Sequence, residues 1–301
     1  MHNRERKLHR LEKIVALFAL AAVLALTIGF AQAGAPKKKA AAEASGEHPD
    51  KVFLRSSVAL VQDAASGEML IAKNQDAVLP IASITKLMTA MVLLDSKVDL
   101  WQRVAISDED FDNLKGSRSR LRPGSMLTRD ELLLLALMSS ENRAAAALAR
   151  TYPGGSDAFV AAMNAKAQAL GMSDTRFVDP TGLSSANVSS APDLARLVSA
   201  AYEYPLIRDY STRDSAKVYA RGQALGFRNT NGLVHSGSWE IGLSKTGYIS
   251  EAGRCLVMRV RLASRELNVV LLDSWGKYSR IGDAQRIRKW LESHLAAGPR
   301  S

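Results

Sequence analysis

Ser83 and Lys86 stand three positions apart and are the pair of residues best suited to chemistry in this sequence. On a helix they would lie on one face, one turn apart, and Pro80 favours a helix start that places Ser83 near the positive end of the helix dipole. A serine hydroxyl needs a neighbouring base to become a nucleophile, and with no suitable histidine the lysine must serve. A free lysine titrates near ~10.4, so Lys86 would have to be desolvated or placed among cations. The alternative is a surface lysine on an amphipathic helix.

A second candidate motif is Ser140-Glu-Asn142, in a polar run between two apolar helical stretches. Residues two positions apart do not face the same way on a helix, but they do so in an extended turn. The polar run predicts such a break, with both side chains on one side. Alternatively, Ser140 and Asn142 are helix caps, because serine and asparagine are common between helices.

The third motif, Lys245-Thr246-Gly247, lies on a predicted strand. A glycine there lets another backbone approach closely, so a peptide could pair along that strand edge. Lys245 would attract a carboxylate of such a peptide. The alternative is an ordinary exposed lysine that precedes a turn.

The order of the three motifs is more informative than any of them alone, because short patterns of this kind recur by chance. Ser274-Trp-Gly-Lys277 repeats the first pattern, and Ser185-Ala-Asn187 repeats the second. Ser274 follows the third motif and lies where a strand ends, so it lacks the required order. We therefore expect Ser83, and not Ser274, to be the nucleophile.

Metal and cofactor chemistry has little support in the sequence. His48, His235 and His294 lie far apart without the spacing of a ligand set, and no glycine-rich phosphate loop follows a predicted strand. We expect neither a metal nor a cofactor. The single cysteine excludes a disulfide within the chain, and its apolar neighbours indicate that Cys255 is a buried strand residue.

The patterning after residue 53 predicts the elements that must position these residues. Apolar-rich segments predict a first hairpin and three late strands, over residues 57–63, 69–73, 241–248, 255–262 and 266–273. Helical periodicity, with a capping box at Thr128 and Glu131, predicts helices over residues 81–94, 132–138, 143–150, 156–170, 191–204 and 283–296. Strands divided in this way predict an α+β fold, in which one antiparallel sheet carries an inserted helical subdomain.

The amino-terminal part differs from the rest in composition. Residues 1–33 run from a basic start, through an uncharged stretch, to Ala31-Gln32-Ala33, which predicts a secretory signal peptide cleaved after Ala33. An uncleaved membrane anchor is the alternative, although the apolar run of 17 residues falls short of the ~20 of a spanning helix. Residues 34–50 predict a flexible linker that contains three lysines, and residues 51–297 predict a single domain.

The formal charge of +10 in 301 residues is typical of a protein that binds nucleic acid. The distribution of this charge along the chain argues against that function. Three units belong to the predicted signal peptide, residues 34–50 are neutral, and the folded part keeps +7. Export would separate the protein from nucleic acid, and a positive surface suits a carboxylate-rich substrate. The chain has 47% apolar and 23% charged residues, which is an ordinary globular balance and excludes disorder throughout the chain.

Three longer segments carry a resemblance to a known family: residues 132–155 (LLLLALMSSENRAAAALARTYPGG), 179–184 (DPTGLS) and 227–231 (FRNTN). Together with the three motifs, they resemble the low-molecular-mass penicillin-binding proteins of the D-alanyl-D-alanine endopeptidase type. The similarity covers most of residues 53–293. It implies a β-lactamase/transpeptidase-like α+β fold, with a five-stranded antiparallel sheet and a helical subdomain.

The resemblance implies a mechanism for the candidate catalytic residues. Ser83 would attack the carbonyl of a D-alanyl peptide bond while Lys86 takes its proton, and Ser140 would relay a proton to the leaving amine. The backbone N–H groups of Ser83 and Tyr248 would form an oxyanion hole. Water would then release the acyl-enzyme, whereas β-lactam antibiotics would acylate Ser83 and stay bound as inhibitors.

The same resemblance implies how and where the substrate is bound. Asn142 would hydrogen-bond the substrate peptide, and Lys245 and Thr246 would hold its terminal carboxylate or an equivalent group beside Gly247. The expected substrate is a peptidoglycan peptide, and the expected location is the periplasm. The expected activity is that of a serine endopeptidase that cleaves peptidoglycan cross-links, without a membrane anchor after signal cleavage.

Three other functions remain open at this point. A D-alanyl-D-alanine carboxypeptidase is the nearest alternative, because both activities cut after D-alanine. A class A-like β-lactamase shares the three motifs, but its Glu-x-x-Leu-Asn pattern is absent between residues 156 and 204. A non-catalytic wall-binding module is the third alternative, and the presence of all the motif residues argues against it.

Overall fold

The computed structural model describes residues 52–262 and 264–295. The predicted signal peptide and linker lie outside these residues. In this part of the chain, none of the helices is long and apolar enough to cross a membrane.

A five-stranded antiparallel sheet forms the centre of the fold, as the sequence predicted. The strands of the described residues are β1 (Ser56–Asp63), β2 (Met69–Lys73), β3 (Leu79–Pro80), β4 (Arg103–Ala105), β5 (Met126–Thr128), β6 (Val188–Ser189), β7 (Ser215–Ala220), β8 (Gln223–Arg228), β9 (Glu240–Ile249), β10 (Gly253–Leu262) and β11 (Arg265–Ser274). The sheet has the order β2-β1-β11-β10-β9, so the first strand pairs with the last. Strand β9, which carries the third motif, lies at an edge.

The helices form a block between the first two and the last three strands of the sheet, apart from a final helix. They are α1 (Lys86–Asp95), α2 (Arg129–Met138), α3 (Asn142–Arg150), α4 (Gly155–Ala169), α5 (Ala191–Tyr202), α6 (Pro205–Thr212) and α7 (Ser279–Leu295). The predicted capping box is confirmed at the start of α2, where Thr128 accepts a hydrogen bond from the backbone N–H of Glu131. The inserted helical subdomain is therefore confirmed.

The sheet is buried on both faces, and each face has its own core. Val58 and Leu60 of β1 belong to the core shared with the helical block, whereas Ala59 and Val61 belong to the core shared with α7. A strand covered on both faces reads as a nearly continuous apolar run, which is the pattern of β1. Cys255 of β10 is fully buried, as expected, and burial raises the pKa of its thiol to about 11.

The start of the helix that carries Ser83 differs from the prediction. Pro80 does not begin a helix, because it lies in β3, which pairs with β6. The chain then turns through a 3-10 helix over Ala82–Thr85 before α1 begins at Lys86. The backbone N–H of Ile81 donates to the carbonyl of Asn187, and this contact keeps the chain extended up to the turn.

The hairpin of β7 and β8, the short strands β3, β4, β5 and β6, and helix α6 were not predicted from the sequence. The β7–β8 hairpin turns at Arg221 and Gly222, which both have a positive φ. Asn-Gly and Asp-Gly are the strongest signals for such a turn, and Arg-Gly is not among them. Only one face of the hairpin is buried, so its apolar pattern is also weak.

Candidate active site

Lys86, the first residue of α1, has a fully buried side chain whose amine contacts three oxygen atoms. Its Nζ lies 2.8 Å from Ser83 Oγ, 2.7 Å from Asn142 Oδ1 and 2.6 Å from the carbonyl oxygen of Thr181. Burial lowers the pKa of Lys86 to about 7, against the opposing attraction of nearby carboxylates, of which Asp179 is foremost. The interpretation as a surface lysine is therefore excluded.

The neighbours of the amine also determine where its lone pair points. The Asn142 and Thr181 oxygen atoms can only accept hydrogen bonds, so they take the two N–H bonds of a neutral amine. The lone pair is then left for Ser83, whose hydroxyl can donate. The pair is thus arranged for the transfer of a proton from Ser83 Oγ to Lys86 Nζ.

The Thr181 carbonyl is held in place by a turn around Asp179. The carboxylate of Asp179 accepts hydrogen bonds from the backbone N–H groups of Thr181, Gly182 and Ser184, at 2.6, 2.8 and 3.0 Å. Acidic side chains that accept several N–H bonds in this way fix a turn without any regular secondary structure. This turn explains why the segment 179–184 is built from Asp, Pro, Thr and Gly.

Asn187 attaches this turn to the turn that carries Ser83. Its Nδ2 donates to Thr85 Oγ1 at 3.0 Å and to the carbonyl of Asp179 at 2.9 Å. Its Oδ1 accepts from the backbone N–H groups of Val178 and Asp179. The residue is fully buried, so all of its hydrogen bonds contribute to the fixed spacing between the two turns.

Gly182 lets the two turns touch. Its φ is +80°, and a Cβ atom added there would lie 2.0 Å from the carbonyl oxygen of Ala82. Ala82 immediately precedes Ser83, so any side chain at residue 182 must displace one of the two turns. Only glycine combines the left-handed backbone with this close approach.

Lys245 is a second buried amine, 1% exposed, on the edge strand β9. Its Nζ donates to Ser140 Oγ and to the carbonyl of Thr246, both at 2.9 Å. Burial lowers the pKa of Lys245 well below its ordinary value, and the positive charges of Lys86 and Arg280 lower it further. The interpretation as an exposed strand lysine is excluded, and the geometry joins the second motif to the third.

Ser140 lies in the predicted break between α2 and α3, but its backbone is left-handed and not extended, with φ +59°. Ser139 ends α2 and Glu141 caps α3, so Ser140 and Asn142 are not caps. A non-glycine residue in this conformation costs about 1–3 kcal/mol, which the surrounding structure must offset. The left-handed turn places Ser140 Oγ within hydrogen-bond distance of Lys245.

Asn142 joins Lys86 to a loop outside the helical block. Its Nδ2 donates to Ser117 Oγ at 2.9 Å, while its Oδ1 accepts from Lys86. The backbone N–H of Ser117 in turn donates to Asp112 at 2.8 Å. The orientation of the Asn142 amide thus follows from the loop that begins at Asp112.

Gly247 brings the edge strand against the turn of the nucleophile. A Cβ atom at residue 247 would lie 3.0 Å from the backbone nitrogen of Ser83 and 3.0 Å from the Cβ of Ala82. The Gly247 carbonyl accepts a hydrogen bond of 2.9 Å from the buried guanidinium of Arg280, at the start of α7. Tyr248, the next residue, is 57% exposed.

The structure brings the candidate residues together around one short stretch of β9. Hydrogen bonds and the close approach of Gly247 to Ser83 connect these residues, which are Ser83, Lys86, Ser140, Asn142, Lys245, Thr246 and Gly247. Tyr248 follows Gly247 in the chain. Ser274 lies elsewhere, bound to Ser56 Oγ at 2.6 Å, and Lys277 is exposed. Among residues 52–262 and 264–295, no group of three or more acidic, histidine or cysteine side chains could hold a metal ion.

Several residues of the site were not predicted as members. Thr181 contributes a backbone carbonyl, which any residue type could supply, so the sequence carries no signal for it. Asn187 was discounted as a chance repeat of the second motif, yet it lies beneath the turn of Ser83. Thr230, whose Oγ1 accepts from Thr246 Oγ1 at 2.6 Å, and Arg280 are far from the motifs in sequence.

Comparison with known proteins identifies the family. A sequence model described as D-alanyl-D-alanine carboxypeptidase, peptidase S11, matches residues 43–275. The chain belongs to peptidase family S11. It is 50% identical to a D-alanyl-D-alanine endopeptidase of Pseudomonas aeruginosa, over 95% of this chain and 89% of the relative. It is 46% identical to a D-alanyl-D-alanine endopeptidase of Escherichia coli, over 93% of this chain and 88% of the relative.

Solved structures of related enzymes share the fold of this S11 peptidase. The crystal structure of a Streptomyces DD-transpeptidase superposes with a TM-score of 0.75 at 27% identity, over 81% of this chain and 99% of that one. A D-alanyl-D-alanine carboxypeptidase of Mycobacterium tuberculosis gives a TM-score of 0.73 at 27% identity, over 85% of this chain and 96% of that one. The predicted fold and the resemblance to penicillin-binding proteins of the endopeptidase type are both confirmed.

The close approach of Gly182 to Ala82 leads to a stability prediction. Gly182→Ala should lower the free energy of unfolding by about 3 kcal/mol or more, because it adds a clash to an unfavourable φ. Gly171→Ala is the matched control, since Gly171 also has a positive φ (+68°) but open space around it. The control should lose only about 1–2 kcal/mol. Urea unfolding measures both values, and equal losses would contradict the close approach.

Proposed function

We propose that the chain is a serine D-alanyl-D-alanine endopeptidase that hydrolyses the peptide cross-links of peptidoglycan. The observation that carries this proposal is the 2.8 Å contact between Ser83 Oγ and the buried amine of Lys86. The close relatives named D-alanyl-D-alanine endopeptidase support the choice of substrate. In this proposal residues 51–297 form one catalytic domain.

Acylation begins when Ser83 Oγ attacks the D-alanyl carbonyl carbon. The hydroxyl proton passes to Lys86 Nζ, the new C–O bond forms, and the carbonyl electrons move to the oxygen. The backbone N–H groups of Ser83 and Tyr248 stabilise this oxyanion, at about 2.7–4 kcal/mol for each donor. The close approach of Gly247 to the turn of Ser83, where an added Cβ atom would lie 3.0 Å from the Ser83 backbone nitrogen, supports this pairing of the two amides.

The leaving amine needs a proton before the C–N bond can break. Ser140 is the proposed donor, because its hydroxyl lies 2.9 Å from Lys245 Nζ and so belongs to a chain of exchangeable protons. The proton that Lys86 took from Ser83 passes to Ser140 and replaces the proton given to the amine, so Lys86 is neutral again. Water then attacks the ester on Ser83 with Lys86 as the base. The products are a free D-alanyl carboxylate and a free amine, and Ser83 is restored.

Substrate binding is assigned to the polar groups along β9. Lys245 and Thr246 hold the carboxylate, and the positive charge of Arg280 behind Gly247 strengthens the attraction. A bound carboxylate opposes the effect of burial and raises the pKa of Lys245 again. Asn142 binds the peptide through Nδ2, and a substrate carbonyl replaces Ser117 as its acceptor.

A D-alanyl-D-alanine carboxypeptidase is the second candidate function. It is favoured by the description of the matching family. It is also favoured by a Bacillus subtilis relative named D-alanyl-D-alanine carboxypeptidase, which is 30% identical over 71% of this chain and 56% of the relative. The two activities share the acylation step and differ only in the leaving group. They are therefore separated by product analysis and not by acylation.

A β-lactamase is disfavoured because, in the described part of the chain, the carboxylates near Lys86 accept hydrogen bonds from the backbone of their own segments. The group that faces Lys86 from segment 179–184 is the Thr181 carbonyl, which cannot accept a proton from water at neutral pH. Asp179 has the largest effect of the nearby carboxylates, and its oxygens accept the N–H groups of its own turn. Glu141 and Asp112 likewise accept backbone N–H groups. Lys86 is then the only base for deacylation, and the amine of an opened β-lactam stays attached and obstructs the attacking water, so a β-lactam should leave Ser83 far more slowly than a peptide does.

The location belongs to the same proposal. Residues 1–33 act as a cleaved signal peptide and residues 34–50 as a linker, so that the domain acts in the periplasm. The basic, apolar and small-residue order of residues 1–33 supports export. Peptidoglycan is the proposed binding partner, and β-lactams are the proposed inhibitors.

Ser83→Ala should abolish covalent labelling by a fluorescent penicillin, because the ester cannot form without the hydroxyl oxygen. Labelling is read after denaturing gel electrophoresis. Ser274→Ala is the control, since it removes the serine of the second Ser-x-x-Lys pattern and should leave labelling intact. Persistent labelling of Ser83→Ala would contradict the assignment of the nucleophile.

The rate of penicillin labelling should rise with pH and level off above a midpoint near 7. Lys86 is protonated below its pKa of about 7 and neutral above it, and only the neutral amine can accept the Ser83 proton. Below the midpoint the rate should fall about tenfold for each pH unit. Stopped-flow acylation between pH 5 and pH 9 measures the profile. A rate that is constant across this range would exclude Lys86 as the base.

Digestion of purified peptidoglycan sacculi should convert cross-linked muropeptide dimers to monomers. The sacculi are incubated with the enzyme, then solubilised with a muramidase and resolved by chromatography. Ser83→Ala serves as the control for contaminating activity. Release of terminal D-alanine from pentapeptides, with the dimers intact, would replace the endopeptidase by the carboxypeptidase.

A further inference from the structure

Two neighbouring segments next to the active site carry basic side chains and no acidic ones. They are residues 117–125 and the hairpin of β7 and β8, residues 215–228. Their six cations are all exposed, and they are Arg118, Arg120, Arg122, Lys217, Arg221 and Arg228. We call these two segments the basic surface.

Two of the arginines join the segments into a single surface. Arg120 donates to the carbonyl of Gly226, and its guanidinium lies 4.1 Å from the centre of the Phe227 ring. Arg221 donates across to the carbonyl of Pro123 at 3.3 Å. Between the segments lies a groove of about 430 Å³, lined by these two arginines, Arg122 and smaller side chains.

The other four cations have no such structural role. Arg118, Arg122, Lys217 and Arg228 form no side-chain hydrogen bond or ion pair with the described residues. Like charges gathered on one surface repel each other and do not stabilise the fold. Their arrangement is therefore better explained by an anionic ligand than by stability.

An aromatic ring lies in the middle of these charges. Tyr219 of β7 is 72% exposed and stands between Lys217 and Arg221 in the chain. Its partner across the hairpin is Ala224, and Gly226 stands opposite Lys217, so small residues leave the face of the ring open. An open aromatic face flanked by cations suits a sugar ring that carries carboxylates.

Both segments lead directly into the active site. Ser117, at the start of the first segment, accepts the hydrogen bond of Asn142. Thr230, two residues beyond the end of β8, accepts the hydrogen bond of Thr246. A ligand that covers the basic surface is therefore contiguous with a peptide bound along β9.

We propose that the basic surface binds the peptidoglycan polymer outside the catalytic groups, with stem-peptide carboxylates on Arg118, Arg122, Lys217 and Arg228 and a sugar ring on Tyr219. This inference rests on the proposed function, since it assigns a polymeric substrate to the same site. The surface raises the local concentration of cross-links at Ser83. Continuity with β9 favours this ligand over an anionic lipid, because a lipid surface would not place a peptide in the site.

The test is co-sedimentation of the protein with insoluble sacculi, in a Ser83→Ala background so that nothing is hydrolysed. Two charge-reversal variants, Lys217→Glu/Arg228→Glu and Arg118→Glu/Arg122→Glu, should each lower the bound fraction about tenfold. Tyr219→Ala should lower it less, and added salt should weaken binding of the parent protein. Arg55→Glu/Lys289→Glu is the matched control, because it makes the same charge change at exposed residues elsewhere.

Each outcome supports or overturns the proposal. With Ser83 restored, the charge-reversal variants should acylate with penicillin at the parental rate, which shows that the fold and site are intact. The proposal is overturned if the charge-reversal variants sediment with sacculi as well as the control variant does. If those variants also lose binding to vesicles of anionic phospholipid, the basic surface binds lipid and not peptidoglycan. If binding to sacculi depends on these residues but the protein with Ser83 restored releases no monomers, the endopeptidase assignment fails while the docking surface stands.

Discussion

The active site depends on one constraint, which is that the amine of Lys86 is buried. An amine removed from water must be surrounded by hydrogen-bond partners, and here the partners come from three separate parts of the chain: Ser83, Asn142 and the carbonyl of Thr181. The same burial lowers the pKa of the amine. Two of the same partners, the oxygens of Asn142 and Thr181, leave its lone pair for Ser83. The chemical competence of the pair and the packing of the helical block around α1 thus have one physical cause.

Much of the fold and the chemistry could be predicted from the sequence, because both leave patterns in residue types. The late strands and the helices follow from apolar periodicity, and the order of three motifs was enough to bring Ser83, Ser140 and Lys245 into one hypothesis. What could not be predicted depends on the backbone. The 3-10 turn before α1 follows from pairing with a distant strand, and the acceptor at Thr181 is a carbonyl that every residue has.

The structure also shows why net charge is a poor guide to function. Lys86, Lys245 and Arg280 are three of the basic residues counted in the net charge, yet all three are buried at the active site, where burial lowers the pKa of each. Other basic residues pair with acids, as Arg265 does with Asp63 and Glu68. The charge that an external ligand can contact is therefore local. Next to the active site it comes from the six exposed cations of the basic surface, and not from the excess of lysine and arginine in the composition.

Strand β11 lies between β1 and β10, so it separates the segment that leads to Ser83 from the strands that carry Lys245. Asp283 closes the same arrangement by accepting the backbone N–H of Ser56, 227 positions away. Contacts between such distant residues form late, because the loop between them must first be closed. A nascent or truncated chain without β11 has all three motifs but lacks the strand that joins β1 to β10. Acylation of Ser83 should therefore report on completed folding, since the sheet is whole only when the last strand has joined the first.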